Sequence, residues 1–228
     1  MLAASRSLLD RRVLGALELR ETATLERITA PMQLKSPRLR FVRNRSGLHV
    51  VNGLSSRTEL EEQLAAHLDA FDSAPGGLAE EALDFDVTIT DPTGRYLPRT
   101  TTLKLPRGSR TSEAVIVDMY PSPSAPVGQN WSGVRASLTR EVAGEIEPLA
   151  GARLSLMRES DSALLGSGLS DARGEVLALA GGIPVIDFTS AAPPSPAPSP
   201  SPTPAPAFVG TKKVRARLKI ETTPGLPW

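Results

Sequence analysis

At 228 residues the chain has room for one large domain or two modest ones, and 40% hydrophobic with 22% charged residues is ordinary for a protein that buries a core. The net charge of +1, from 26 basic and 25 acidic residues, creates no global field to hold nucleic acid or an anionic membrane, so neither is an expected partner. Cysteine is absent, which excludes disulfides, thiolate nucleophiles and cysteine-ligated metal.

Lys35, Lys104, Lys212, Lys213 and Lys219 are the only lysines; the other bases are arginines, whose planar guanidinium suits bidentate contacts at protein interfaces. In the opening stretch MLAASRSLLDRRVLGALEL, Arg6, Arg11 and Arg12 break every apolar run, unlike the continuous apolar core of a secretion signal. No window reaches the roughly eighteen apolar residues of a membrane span, so no membrane insertion is expected. The expected setting is cytoplasmic assembly, with the product part of a virion or a released particle.

Residues 1–14 read as an N-terminal arm, in which Leu2, Leu8 and Leu9 stand among Ser and Arg and need cover from their own domain or a neighbour. From Gly15 to residue 120 the pattern is that of a first β-sandwich domain. Phe41 lies between Arg40 and Arg43, whose side chains are expected to face solvent or a partner, and Asn44-Arg45-Ser46-Gly47 reads as a hairpin connection. A helix near 58–72 interrupts the strands: Thr58 and Glu61 have capping-box spacing, and Leu60, Leu64, Leu68 and Phe71 recur on one face, with His67 off that stripe and exposed. Ser73-Ala74-Pro75-Gly76-Gly77 breaks it.

Strands resume with LDFDVTIT (83–90), in which apolar and polar residues alternate strictly. Asp91-Pro92-Thr93-Gly94 is a turn leading into an extended stretch from Tyr96 to Leu105. The run AVIVDMY (114–120) is apolar enough to suggest a strand buried on both faces. Residues 121–133 have the Pro, Ser and Gly content of a linker.

A second β-sandwich domain is expected over 134–228. Its distinctive part is Pro148 to Leu179, where strand-like runs flank the turns Leu149-Ala150-Gly151 and Asp171-Ala172-Arg173-Gly174. Gly166-Ser167-Gly168 suggests a bulge or a tight sheet approach. The tract 191–207 holds eight of the 21 prolines, and its fourteen residues from Pro193 to Pro206 read as a polyproline spacer of up to about 43 Å. KKVRARLKIE (212–221) then alternates Val214, Ala216, Leu218 and Ile220 with Arg215, Arg217 and Lys219, a strand that must pair with something. It is expected to return to the second sandwich, with the proline tract an insertion in a final hairpin; the rival is a strand that crosses to another subunit.

Pro148-Leu149-Ala150-Gly151-Ala152-Arg153 followed by LSLM, a Gly-containing strand and Ser170-Asp171-Ala172-Arg173-Gly174-Glu175-Val176 resembles the carboxypeptidase regulatory-like, or transthyretin-like, β-sandwich. In that module a P-L-x-G-A turn leads into a strand and a T/S-D-x-x-G turn follows. The likeness extends over 134–228 if the last strand belongs to it. The family's closing Gly-x-Tyr strand is replaced here by the proline tract and Lys212 to Glu221. What the resemblance implies is an all-β chain of two transthyretin- or Ig-like sandwiches with one short helix and a proline-rich insertion. It also implies a nonenzymatic structural component of a phage-tail or contractile-injection-type assembly, joined to other subunits of a multi-protein particle in multiple copies. A cell-surface or glycan-binding adhesin is the alternative, disfavoured by only two Trp and two Tyr.

The residues offer little chemistry. His49 and His67 lie in different elements with no metal-ligand spacing, and Asp84 and Asp86 read as the polar face of an amphipathic strand. Asp91, Asp161 and Asp171 sit at loop tips without calcium-loop spacing, and the glycine pairs precede no helix that would make a phosphate loop. No catalytic residue, cofactor or metal is therefore expected. The expected partner contacts are Leu2, Leu8 and Leu9 of the arm, Arg215 and Arg217 of the last strand, and Trp228 as an aromatic anchor.

Overall fold

The computed structural model describes residues 13–69, 82–107, 113–128, 131–181 and 214–222. The protein is predominantly β, with one short helix among the described residues. In chain order the first part contributes β1 (Ala16–Glu21), β2 (Gln33–Lys35), β3 (Leu39–Arg43), β4 (His49–Leu54), α1 (Glu59–Asp69), β5 (Leu83–Thr90), β6 (Arg99–Leu105) and β7 (Val115–Met119). One sheet runs β3-β4-β1-β7 and another β2-β5-β6. All pairs are antiparallel except β1 with β7, where the Arg20–Asp118 ion pair at 2.9 Å bridges directly opposed residues.

Both sheets and the helix feed one core. Leu17 and Leu19 from β1, Phe85, Val87 and Ile89 from β5, and Leu64 and Leu68 from α1 are all buried in it. Leu14, at the end of the expected arm, is fully buried there too, so the core begins before Gly15. Alternation makes β5 one-sided: its aspartates face outward, where Asp84 pairs with Lys104 at 3.2 Å and Asp86 accepts from the Thr102 hydroxyl at 3.1 Å. The helix starts where the capping box requires, Thr58 Oγ1 accepting from the Glu61 amide and Glu61 from the Thr58 amide. Phe71 lies outside the described residues, and His67 is half-buried rather than exposed.

A further expectation fails in this part. The 114–120 run is not buried on both faces: β7 is an edge strand among the described residues, its burial alternates, and Ile116 is 52% exposed. An apolar composition permits two-sided burial but does not supply the second covering layer.

The second part contributes β8 (Ser132–Ser137), β9 (Thr139–Val142), β10 (Glu145–Pro148), β11 (Ala152–Arg158), β12 (Leu164–Leu169), β13 (Glu175–Ala180) and β14 (Ala216–Thr222). Five strands form a sheet in the order β14-β11-β12-β13-β8, while β9 and β10 form a separate two-stranded ribbon. Leu154 and Leu156 of β11 join Val176, Ala178 and Ala180 of β13 in a second core. The two strand glycines are required by packing: a Cβ at Gly166 would stand 1.9 Å from the Leu179 carbonyl oxygen and one at Gly168 would stand 2.3 Å from that of Leu177. The register shifts just before this segment, where Leu165 is skipped, while Gly166-Ser167-Gly168 pairs regularly with β11, so the segment is a close approach beside a bulge.

The last strand does return to this sheet, but its neighbour is β11, in seven antiparallel pairs from Ala152↔Thr222 to Arg158↔Ala216. It does not pair with β13, so the connection between them is not a hairpin loop. Sequence adjacency was outweighed by the occupied edge: β13 already has β12 on one side and β8 on the other.

The 121–133 stretch, expected as a linker, is docked where it is described. Ala125 is buried with Leu177 and Leu179 in a third, small cluster that Ala23 and Trp131 flank. The Arg135 guanidinium donates to the carbonyls of Pro123 and Ala125 at 2.9 and 2.7 Å. Ala23 follows β1, so this cluster is where the first part meets the second.

Candidate interaction surfaces

Of the expected contact residues, Leu2, Leu8, Leu9 and Trp228 lie outside the described residues. Arg215 and Arg217 lie on or beside β14, and both are exposed. Their strand is the end of its sheet, so β11 satisfies one side of its backbone and the other side is an open edge among the described residues. Leu154 faces Ile220 and Leu156 faces Leu218 across the ladder, which puts the apolar side chains of β14 on the same face as the second core. Leu154 and Leu156 are nearly inaccessible, whereas Leu218 and Ile220 are each 52% exposed. A shallow cleft of about 310 Å³ lies where Arg217, Leu218 and Lys219 meet Met157, Arg158 and Ser162.

The β9–β10 ribbon is a surface that the sequence pattern expected over 134–228 does not single out. Every residue of both strands is exposed, with Ile146 at 75% and Val142 at 40%. Its signal was present: Ala143-Gly144 between TREV and EIEP is a two-residue connection, and both residues take positive φ, 53° and 90°. That is the conformation a tight hairpin demands. The ribbon carries Glu141, Glu145 and Glu147 against one base, Arg140, which pairs with Glu147 at 3.3 Å.

A densely connected polar group lies in the first part. Glu21 is buried and accepts from the Tyr96 hydroxyl at 3.1 Å and the Thr24 hydroxyl at 3.1 Å, with the Arg95 guanidinium at 3.4 Å. Burial, then the Glu21 charge, pushes the Tyr96 phenol up to about 12, so it stays protonated and serves as a donor. Asp91 closes the adjoining turn by accepting from the amides of Thr93, Arg95 and Tyr96. Burial pushes its carboxyl upward, but those hydrogen bonds outweigh it and hold the group below its ordinary range. These residues border a polar depression of about 210 Å³, and their acids are committed to bracing the fold.

Other acidic candidates behave the same way. The Asp171 carboxylate accepts from the amides of Arg173 and Glu175, and that of Asp161 from Ala163, each closing its own turn. Glu61 is fully buried, holding the helix start and the Arg38 guanidinium. His49 is buried, and desolvation followed by the nearby Arg43 charge lowers its pKa. No three His, Asp or Glu side chains converge as a metal site among the described residues, and no described helix is long and apolar enough to cross a membrane. Compared with protein-family models, curated proteins and solved structures, the chain has no match.

Proposed function

We propose that the protein is a nonenzymatic structural component of a multi-subunit particle of the phage-tail or contractile-injection type. In this reading the two cores belong to two β-sandwich domains, the second transthyretin-like, with the proline-rich segment inserted before its last strand. The observation that carries it is the contrast between polar groups already engaged within the fold and apolar strand surface left uncovered at β14 and the β9–β10 ribbon. Large exposed apolar side chains on strand edges fit binding to other protein better than turnover of a small molecule. The turns that carry the transthyretin-like resemblance support it as well: Gly151 and Gly174 take φ of 70° and 76°, as tight turns between strands require.

The test is isolation of the chain under native conditions through a terminal tag, followed by negative-stain imaging and mass spectrometry. A large particle holding several copies alongside other subunits is expected. A free monomer, or a turnover activity abolished by one side-chain replacement in an intact fold, would overturn the reading. Deleting residues 2–12, and stopping short of the buried Leu14, is expected to impair assembly while leaving thermal unfolding of the remainder nearly unchanged.

A further inference from the structure

The open edge of β14 and the β9–β10 ribbon are complementary in charge and in apolar pattern. Along β14, Arg217-Leu218-Lys219 places two bases on one face and an apolar side chain on the other. Along β10, Glu145-Ile146-Glu147 places two acids on one face and an apolar side chain on the other. Laid side by side with Ile146 opposite Leu218, each acid meets a base whether the strands run parallel or antiparallel. Arg215 continues the basic row and has no ion pair among the described residues; Glu141 and Glu145 likewise have none.

The same arithmetic of charges disfavours like pairing in the matching register. Two β14 edges brought together with Leu218 opposite Leu218 would set Arg217 against Lys219, and like charges directly opposite are destabilising. Two β10 edges would oppose glutamates. A two-fold dimer through either strand in that register is therefore disfavoured, whereas the unlike pairing sets both bases against acids. The pairs already present, Arg140–Glu147 and Lys219–Glu221, are half-exposed and exchange at little cost.

The ribbon is also built to donate a strand. In a two-residue hairpin the flanking pair, Val142 and Glu145, bonds across the ribbon, which leaves the backbone N–H and C=O of Ile146 turned outward. Pro148 has no N–H and ends the available ladder. The docked segment is thus short, and its individual strength is low.

We propose that the β9–β10 ribbon of one copy adds to the open edge of β14 on a second copy of this chain. The contact is heterologous, so successive copies close into a ring or continue as a filament. This rests on the reading of the protein as a particle component and names one of its neighbours. Repetition in a particle makes a short contact sufficient, because linked contacts act at high effective concentration.

A charge exchange tests it on the full chain. The variant E145K/E147K has two basic surfaces and the variant R217E/K219E two acidic ones, and every altered side chain is exposed, with near-ultraviolet circular dichroism checking that both fold. Sedimentation velocity across a concentration series is expected to show self-association of the wild-type chain, weakened at about 1 M salt where charges are screened within about 3 Å. Each variant alone is expected to lose it by at least about tenfold, the scale of one or two charge pairs. An equimolar mixture of the two is expected to restore association. A wild-type chain that stays monomeric throughout, a variant that associates as well as wild type, or a mixture that fails to recover would each overturn the proposal. If the chain nevertheless purifies within a multi-subunit particle, the structural role stands and only the choice of neighbour falls.

Discussion

β5 and β14 carry nearly the same message in sequence and meet opposite fates. LDFDVTIT and VRARLKIE both alternate apolar and polar residues, and each has a neighbouring strand that places its apolar side chains on a core-bearing face. In β5, between β2 and β6, Phe85, Val87 and Ile89 are at most 1% exposed. In β14, at the end of its sheet, Leu218 and Ile220 are half open to solvent. Alternation settles which face of a strand is apolar; it is silent on whether a covering layer extends that far. A strand whose apolar face outruns its cover is a natural place for another chain to bind.

The sharpest way to break this comparison is truncation on each strand. Phe85→Ala is expected to cost about 3–5 kcal/mol in denaturant unfolding, because it removes a fully buried ring and leaves a cavity. Leu218→Ala in the isolated chain is expected to cost less than about 1 kcal/mol, since half of that side chain is already in water. Equal losses at the two sites would mean that β14 is covered in solution and the contrast is wrong.

A smaller effect is expected where the second core is tightest. Gly166→Ala inserts a methyl group against the Leu179 carbonyl and is expected to cost about 1–3 kcal/mol, read as a lower unfolding midpoint. The same change at Gly144, where nothing lies within 4 Å, meets no steric obstacle and tests only the positive φ of 90°. Comparable destabilisation would show that the positive φ at Gly144 costs as much as the strand contact at Gly166.

The smallest expected effect is pH dependence in the first part. His49 has a folded pKa below its ordinary value of 6.5, so the unfolded chain takes up the proton first as pH falls. Its contribution is fully present above 6.5 and is lost as pH falls from there through the lower folded value. Unfolding midpoints at about pH 7.5 and about pH 5.5 are expected to differ less in His49→Gln than in the wild-type chain. Asp91 titrates separately: its stabilising effect persists above its ordinary value of 3.8 and disappears only as pH falls through its lowered folded value.

The features legible from residues were the local ones. Asn44 and Gly47 make the turn between β3 and β4, with the Asn44 side chain accepting from the Leu48 amide at 2.9 Å and Gly47 at φ 81°. Asp91 and Asp171 close their turns through the amides two and four residues on. Thr58 and Glu61 cap the helix. Each interaction spans four residues or fewer, so the chain needs no distant partner to form it. The exposed Arg215 and Arg217 follow from the two-residue alternation of the last strand, whereas the acidic β9–β10 ribbon leaves a weaker mark, its Ala-Gly turn being a fainter signal than Asn-Gly.

What the amino-acid order determined by itself is therefore the set of strands, their apolar faces and the turns between neighbours, because these depend on side-chain period and on backbone angles set within a few residues. What only the tertiary structure decided is which strands became edges. The pairing of β14 with β11 spans from Ala152 to Thr222, and β7 lies parallel to a β1 almost a hundred residues earlier. Such pairings follow from competition among all strands for a limited number of ladder positions, and a local pattern contains no record of which competitor took the place beside it.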